Sequence, residues 1–289
     1  MRPHELELLA QRHVPGEGEL HVQLLGSGLA NETYRVLRGG SVYALRVAAN
    51  PRSLGVDRQW EARVLENAAA ADLAPPLVYS DPILGILISR WVEGRQWNAE
   101  DVRRPVNVVR MADLIRRVHT LALPVPARVM SPAGWIDYYA EGASHIAAGL
   151  RGAAGEQLAE LAALPCADPV MCHSDLHTLN LIDSGRSLIL LDWEYAHAAD
   201  PMWDLAAWSA NNDLEPEPQR DLLAAYMGRP PTQGEQQRLR RLGWLYDYVC
   251  LLWSQLYLNL RRDARQDGAA REGVAARARL LAARLDASK

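Results

Sequence analysis

The stretch from Val170 to Glu194, V-M-C-H-S-D-L-H-T-L-N-L-I-D-S-G-R-S-L-I-L-L-D-W-E, constrains this chain more than any other segment. Short apolar runs alternate in it with polar loops. Pro169 to Cys172 suits a buried strand. His173 to Leu179 is a polar loop, and Leu181-Ile182 begins a second strand. Asp183-Ser184-Gly185 is a hairpin turn, where Gly tolerates a positive φ. Ser187 to Leu191 is a further strand that ends in Asp192-Trp193-Glu194. Such a hairpin brings its ends together, Asp175 and Asn180 on one side and Asp192 on the other.

Two carboxylates and a carboxamide gathered in this way repel unless a hard cation sits among them. Mg²⁺ carrying phosphate oxygens is the natural guest. Phosphoryl transfer uses this combination: metal on the phosphates, and a carboxylate that orients the attacking hydroxyl. The protein-kinase pattern H-R-D-x-x-x-x-N followed by D-F-G has the same spacing logic. Here it reads H-S-D-L-H-T-L-N, then L-D-W-E.

H-S-D-L-H-T-L-N with L-D-W-E-Y-A resembles the aminoglycoside phosphotransferase and choline kinase superfamily. A-D-P-M-W-D-L-A, from Ala199 to Ala206, resembles its small-alcohol branch, the bacterial choline kinases and thiamine kinases. The resemblance implies an α+β, protein-kinase-like, two-lobed fold. A small antiparallel sheet would form a nucleotide-binding lobe over residues 1–93, and a mainly helical catalytic and substrate-binding lobe would take 94–289. It further implies Asp175 as the catalytic base, with Asn180 and Asp192 as metal ligands. His173 would be a structural loop residue, and Asp204 would brace that loop.

Composition narrows the choice. The net charge of −4 lacks the basic excess of a nucleic-acid binder. Three cysteines imply no disulfide framework, which suits a cytoplasmic protein. The N-terminus carries charges inside its apolar pattern, unlike a secretory leader, and no uncharged apolar run is long enough to span a bilayer. Neither a nucleic acid nor a membrane is therefore expected as partner.

In chain order, His4 to His13 is an amphipathic helix candidate with Leu6, Leu9 and Ala10 on one face. His21 to Leu25, Thr33 to Leu37 and Val42 to Val47 read as strands of a small antiparallel sheet. Between the first two, Gly26 and Gly28 let the backbone approach phosphates. G-L-A-N-E-T-Y-R-V resembles the family loop there, which places Gly28 and Asn31 at ATP. Arg46 sits where protein kinases carry a phosphate-binding Lys, and its fork matches phosphate oxygens. Asp57 to Ala70 reads as a helix with Trp60, Val64, Leu65 and Ala68 on its apolar side. D-R-Q-W-E resembles the family helix whose acid, here Glu61, holds the basic residue. Val78 to Ser80 and Leu84 to Trp91 are two more strands. I-L-I-S-R-W-V-E-G resembles the hinge, which implies that backbone groups from Ser89 through Trp91 to Val92 would hold adenine.

Beyond Val106 the pattern is helical, with Val109, Ala112, Ile115, Val118 and His119 at helical spacing. Further helices are expected over Trp135 to Leu150, Gln157 to Leu164, Gln219 to Tyr226, Gly234 to Arg262 and Ala269 to Ala287. His119 and His145 read as packing or surface residues. The resemblance suggests an aromatic enclosure for a quaternary ammonium on the penultimate helix. Trp253 is the first candidate, Tyr257 its neighbour, and Glu194 or Asp247 the matching charge. The implied activity is an ATP- and Mg²⁺-dependent kinase of a small, cationic alcohol. Choline comes first and thiamine second, then an aminoglycoside or amino sugar. A nucleotide-binding pseudokinase is the non-enzymatic alternative, although a binder has no need of the base.

Overall fold

The computed structural model describes residues 3–27, 31–48, 54–140, 143, 148–260 and 268–287. Its strands are β1 (Leu20–Ser27), β2 (Asn31–Arg38), β3 (Ser41–Ala48), β4 (Leu77–Asp81), β5 (Ile86–Arg90), β6 (Val170–Cys172), β7 (Leu181–Asp183), β8 (Leu188–Leu190) and β9 (His197–Ala199). Its helices are α1 (Pro3–His13), α2 (Arg58–Ala70), α3 (Ala99–Arg103), α4 (Pro105–His119), α5 (Pro132–Ala140), α6 (Ala148–Ala162), α7 (Met202–Asn211), α8 (Pro216–Met227), α9 (Gln233–Leu260) and α10 (Gly268–Ala287). The chain divides into two compact units, Met1–Gln96 with Leu181–Glu194, and Trp97–Asn180 with Tyr195–Lys289.

Among its described residues, the first unit is built on a five-stranded antiparallel sheet, ordered β1-β2-β3-β5-β4. Period-two alternation in β3 turns Tyr43, Leu45 and Val47 to one face. They pack there with Val36, Ile86, Ile88 and the Leu6, Ala10 and Val14 stripe of α1. The α2 face expected from spacing is buried as read: Trp60, Val64, Leu65 and Ala68. Asp57 caps this helix by accepting the amides of Gln59 and Trp60, each at 3.0 Å. β7 and β8 form the expected hairpin, pairing Leu181 with Leu190 and Asp183 with Leu188. Its base is pinned by amide–carbonyl bonds exchanged between Arg95 and Asp183. Gly94 permits that approach: a Cβ there would lie 2.6 Å from the Asp183 carbonyl oxygen.

The second unit is mainly helical. α9 packs against α5, α6, α7 and α10. β6 does not pair with the hairpin that follows it; it pairs with β9, which sequence periodicity did not reveal. Three residues of small and polar type, His197-Ala198-Ala199, are too few to show a period. On α4 the buried stripe is Met111, Ala112, Leu114, Ile115 and Val118, whereas Val109 lies outside it and is 57% exposed. The helix expected over Trp135 to Leu150 is described only as α5 and the start of α6. Among the described residues, no helix is long and apolar enough to cross a membrane.

Candidate active site

In the second unit, the loop after β6 carries Asp175 and Asn180. Asp204, in the first turn of α7, is fully buried and holds this loop from behind. One carboxylate oxygen accepts the Ser174 amide at 2.7 Å, and the other accepts the His173 amide at 2.9 Å. His119 Nε2 stands 3.3 Å from the same carboxylate, and its Nδ1 lies 2.8 Å from the Tyr226 hydroxyl. Burial alone would raise the Asp204 carboxyl, but the His119 hydrogen bond and charge, His173 and the Ser174 amide outweigh it and lower the pKa. Ser174 is held at φ 69°, in the left-handed region that non-glycine residues avoid. His197 supports the loop from another side. Its Nδ1 lies 2.8 Å from the Tyr195 carbonyl oxygen and 3.1 Å from Ser174 Oγ, and its Nε2 accepts from Trp135 Nε1 at 3.3 Å. Burial drives the His197 pKa down to about 4.

This bracing leaves Asp175 half-buried with a defined environment. Its amide donates to His173 Nδ1 at 3.3 Å. The Asn180 Nδ2 donates to the Asp175 carbonyl at 3.0 Å and to its carboxylate at 3.1 Å. His177 Nε2 stands 3.5 Å from the same carboxylate oxygen. Burial pushes the Asp175 pKa up, but the His177 hydrogen bond and charge, with His173 and Arg277, hold it below its ordinary value. The group is thus a carboxylate at neutral pH. With its NH₂ tied to Asp175, Asn180 presents an amide oxygen as a hard donor, the type Mg²⁺ prefers. Sequence reasoning passed over His177; its place two residues after Asp175 on a short loop was the available signal.

In the first unit, three of the residues expected around nucleotide, Arg46, Glu61 and Asn31, belong to one charged cluster. Arg46 on β3 donates Nη1 to Asp192 Oδ1 at 2.7 Å and Nη2 to Glu61 Oε1 on α2. Burial works against the Arg46 charge, yet Glu61, Asp192 and Glu194 together raise its pKa. Glu61 is lowered by Arg46 and Arg58 despite its burial. Asp192, a predicted site residue, is also held in the left-handed region, at φ 59°. Asn31 and Glu194 also belong here, facing each other rather than a solvent cleft. Asn31 Nδ2 donates to Glu194 Oε2 at 3.0 Å, and Arg58 Nη1 reaches the same oxygen at 2.9 Å. Glu194, read from sequence as a charge for the substrate, is buried and neutralised internally. Arg58 was overlooked, although its i,i+3 spacing to Glu61 on a helix was visible. Ser89 lies within the sheet, opposite Ala44 of β3 and Leu77 of β4. The Trp91 amide donates to the Val42 carbonyl at 3.1 Å. Gly28 and His145 lie outside the described residues.

The aromatic candidates lie in the second unit. Trp253 is half-buried, stacks on Tyr257 with centroids 5.4 Å apart, and donates Nε1 to the Tyr195 hydroxyl at 2.8 Å. Tyr257 is only 2% exposed, a packing residue beneath Trp253. Asp247, the other acid considered for a cationic substrate, is engaged by Arg284 at 3.2 Å.

A profile of the phosphotransferase enzyme family matches residues 21–242. Among solved structures, a choline/ethanolamine kinase family protein from Mesorhizobium loti is 26% identical, with TM-score 0.72 over 93% of this chain and 89% of that one. Choline kinase LicA from Streptococcus pneumoniae is 21% identical, with TM-score 0.76 over 96% and 99% of the two chains. Macrolide 2′-phosphotransferase MphH from Brachybacterium faecium is 19% identical, with TM-score 0.66 over 95% and 96%. The latter two share the fold, an antiparallel sheet followed by a mainly helical part. Comparison with curated protein sequences gave no significant match.

Proposed function

The chain belongs to the phosphotransferase enzyme family, and from that premise we propose that it phosphorylates the hydroxyl of a small alcohol, using ATP and Mg²⁺. The observation that carries this reading is the state of Asp175: ionised, half-buried, and fixed by Asn180 on a loop braced by Asp204. That is the requirement for orienting an acceptor hydroxyl. Asp175 accepts a hydrogen bond from the hydroxyl and takes its proton as the new P–O bond forms and the bond to ADP breaks. A depressed pKa suits a loose transition state, in which the carboxylate positions the nucleophile more than it strips the proton early. Arg46, held by Glu61, binds phosphate oxygens, while Asn180 and Asp192 hold Mg²⁺ by oxygen atoms. The metal when bound neutralises charge on those phosphates. On this reading residues 1–93 serve the nucleotide and 94–289 the chemistry and the acceptor.

Choline is the first candidate acceptor, with thiamine second. The 26% identical choline/ethanolamine kinase family protein and the stacked Trp253–Tyr257 pair support that order. ADP release measured across choline, ethanolamine, thiamine, amino sugars and aminoglycosides tests it. Asp175→Asn is expected to abolish release on the best acceptor while ATP still binds. Turnover equal to wild type in that variant would remove Asp175 from its role.

A further inference from the structure

Arg58 takes no part in the reaction as outlined, yet it bonds three side chains of the first unit's charged cluster. It is 7% exposed. Nη1 donates to Glu61 Oε2 at 2.7 Å and to Glu194 Oε2 at 2.9 Å, and Nη2 donates to Asn31 Oδ1 at 2.9 Å. One guanidinium therefore ties the start of β2, helix α2 and the turn after β8. The carboxylates of Glu61, Asp192 and Glu194 each offer an oxygen within 4.8 Å of the others. Against these three negative charges stand Arg46 and Arg58, a balance of 2 − 3 = −1.

Without Arg58, three closely spaced carboxylates, two of them buried, would share Arg46 alone. Like charges at such range repel strongly where burial limits screening by water. Arg46 already pairs with Asp192 and Glu61; without Arg58 it would also be the one cation of the cluster facing Glu194, and would be held more firmly inward, away from a phosphate. Arg58 eases that competition, because one positive charge, at Nη1, lies against Glu61 and Glu194 together.

We infer that Arg58 is a positioning residue for nucleotide: it offsets the charge of Glu61 and Glu194 so that the Arg46–Asp192 pair can open, Arg46 to phosphate and Asp192 to the metal. This rests on the assignment of Arg46 as the phosphate-binding cation. The test combines binding of a fluorescent ATP analogue in the presence of Mg²⁺ with steady-state kinetics on the best acceptor. Arg58→Gln should raise the nucleotide Kd and KM at least tenfold, about 1.4 kcal/mol, with acceptor KM within twofold. Adding Glu194→Gln removes the charge left uncompensated and should bring the nucleotide Kd back to within threefold of wild type. A role in packing alone predicts no such recovery, since the double variant also lacks the guanidinium. Arg58→Lys keeps the charge and should weaken nucleotide by less than threefold; it carries the test if Arg58→Gln does not fold. The inference is overturned by unchanged nucleotide binding in folded Arg58→Gln, by no recovery in the double variant, or by a tenfold loss in Arg58→Lys. A wild-type protein that binds no nucleotide would remove the Arg46 assignment and this role with it. Normal wild-type binding with an indifferent Arg58→Gln would remove this role alone.

Discussion

Replacing Asp204 by alanine should unlock the loop that carries Asp175 without touching Asp175 itself. The carboxylate has zero exposure and accepts two backbone amides, at 2.7 and 2.9 Å. A buried donor left without its acceptor costs about 1–3 kcal/mol, with bonds to charged groups at the upper end. Two such donors give about 2–6 kcal/mol. Ser174 adds to this, because its left-handed backbone is unfavourable by about 1–2 kcal/mol and persists only while its amide is held. The loop will therefore relax, and the realised loss should be about 3 kcal/mol. Amide exchange reads this directly: the Ser174 and His173 amides should exchange about 100-fold faster in Asp204→Ala, since each 1.4 kcal/mol is a factor of ten. Turnover should fall at least tenfold, while binding of the ATP analogue stays within threefold. Protection of the Ser174 amide equal to wild type would show that these two bonds do not hold the loop, and the reasoning would fail.

Two further outcomes follow from the same geometry. Trp253→Ala should weaken the acceptor at least fivefold with nucleotide KM unchanged, whereas Tyr257→Phe, altering a packed ring, should leave acceptor KM within twofold; equal acceptor KM in Trp253→Ala would rule out the aromatic wall. The buried His197, whose pKa falls from 6.5 to about 4, makes the unfolded chain the better proton binder between those values. Stability should therefore be lost as pH falls from about 6.5 to about 4, by up to about 3 kcal/mol. Denaturant unfolding of wild type and His197→Gln across that range checks this, and identical pH slopes in the two would contradict it.

Much of the fold and of the candidate site was legible in the residues because the relevant forces act locally. The α2 stripe of Trp60, Val64, Leu65 and Ala68 follows from the 3.6-residue period. The β7–β8 hairpin follows from an Asp-Ser-Gly turn between apolar pairs. The five-residue spacing of Asp175 and Asn180 matters because a short loop lets the amide reach back to the carboxylate. The pairing of Arg46 with Glu61 was also read correctly, from a resemblance rather than from physics.

What could not be read concerns which distant charges meet. Glu194 and Asp247 looked available to a cationic substrate, yet each is taken by an arginine, Arg58 lying 136 positions away and Arg284 lying 37 away. β6 likewise chose β9 over the hairpin next to it. Short-range patterning sets the elements and the loop chemistry, since neighbours in the chain are neighbours in space whatever the fold. Partners separated by tens of residues are selected only once burial removes water from the charges, because at that point an unmatched carboxylate becomes expensive and the packing of the elements decides which cation can reach it.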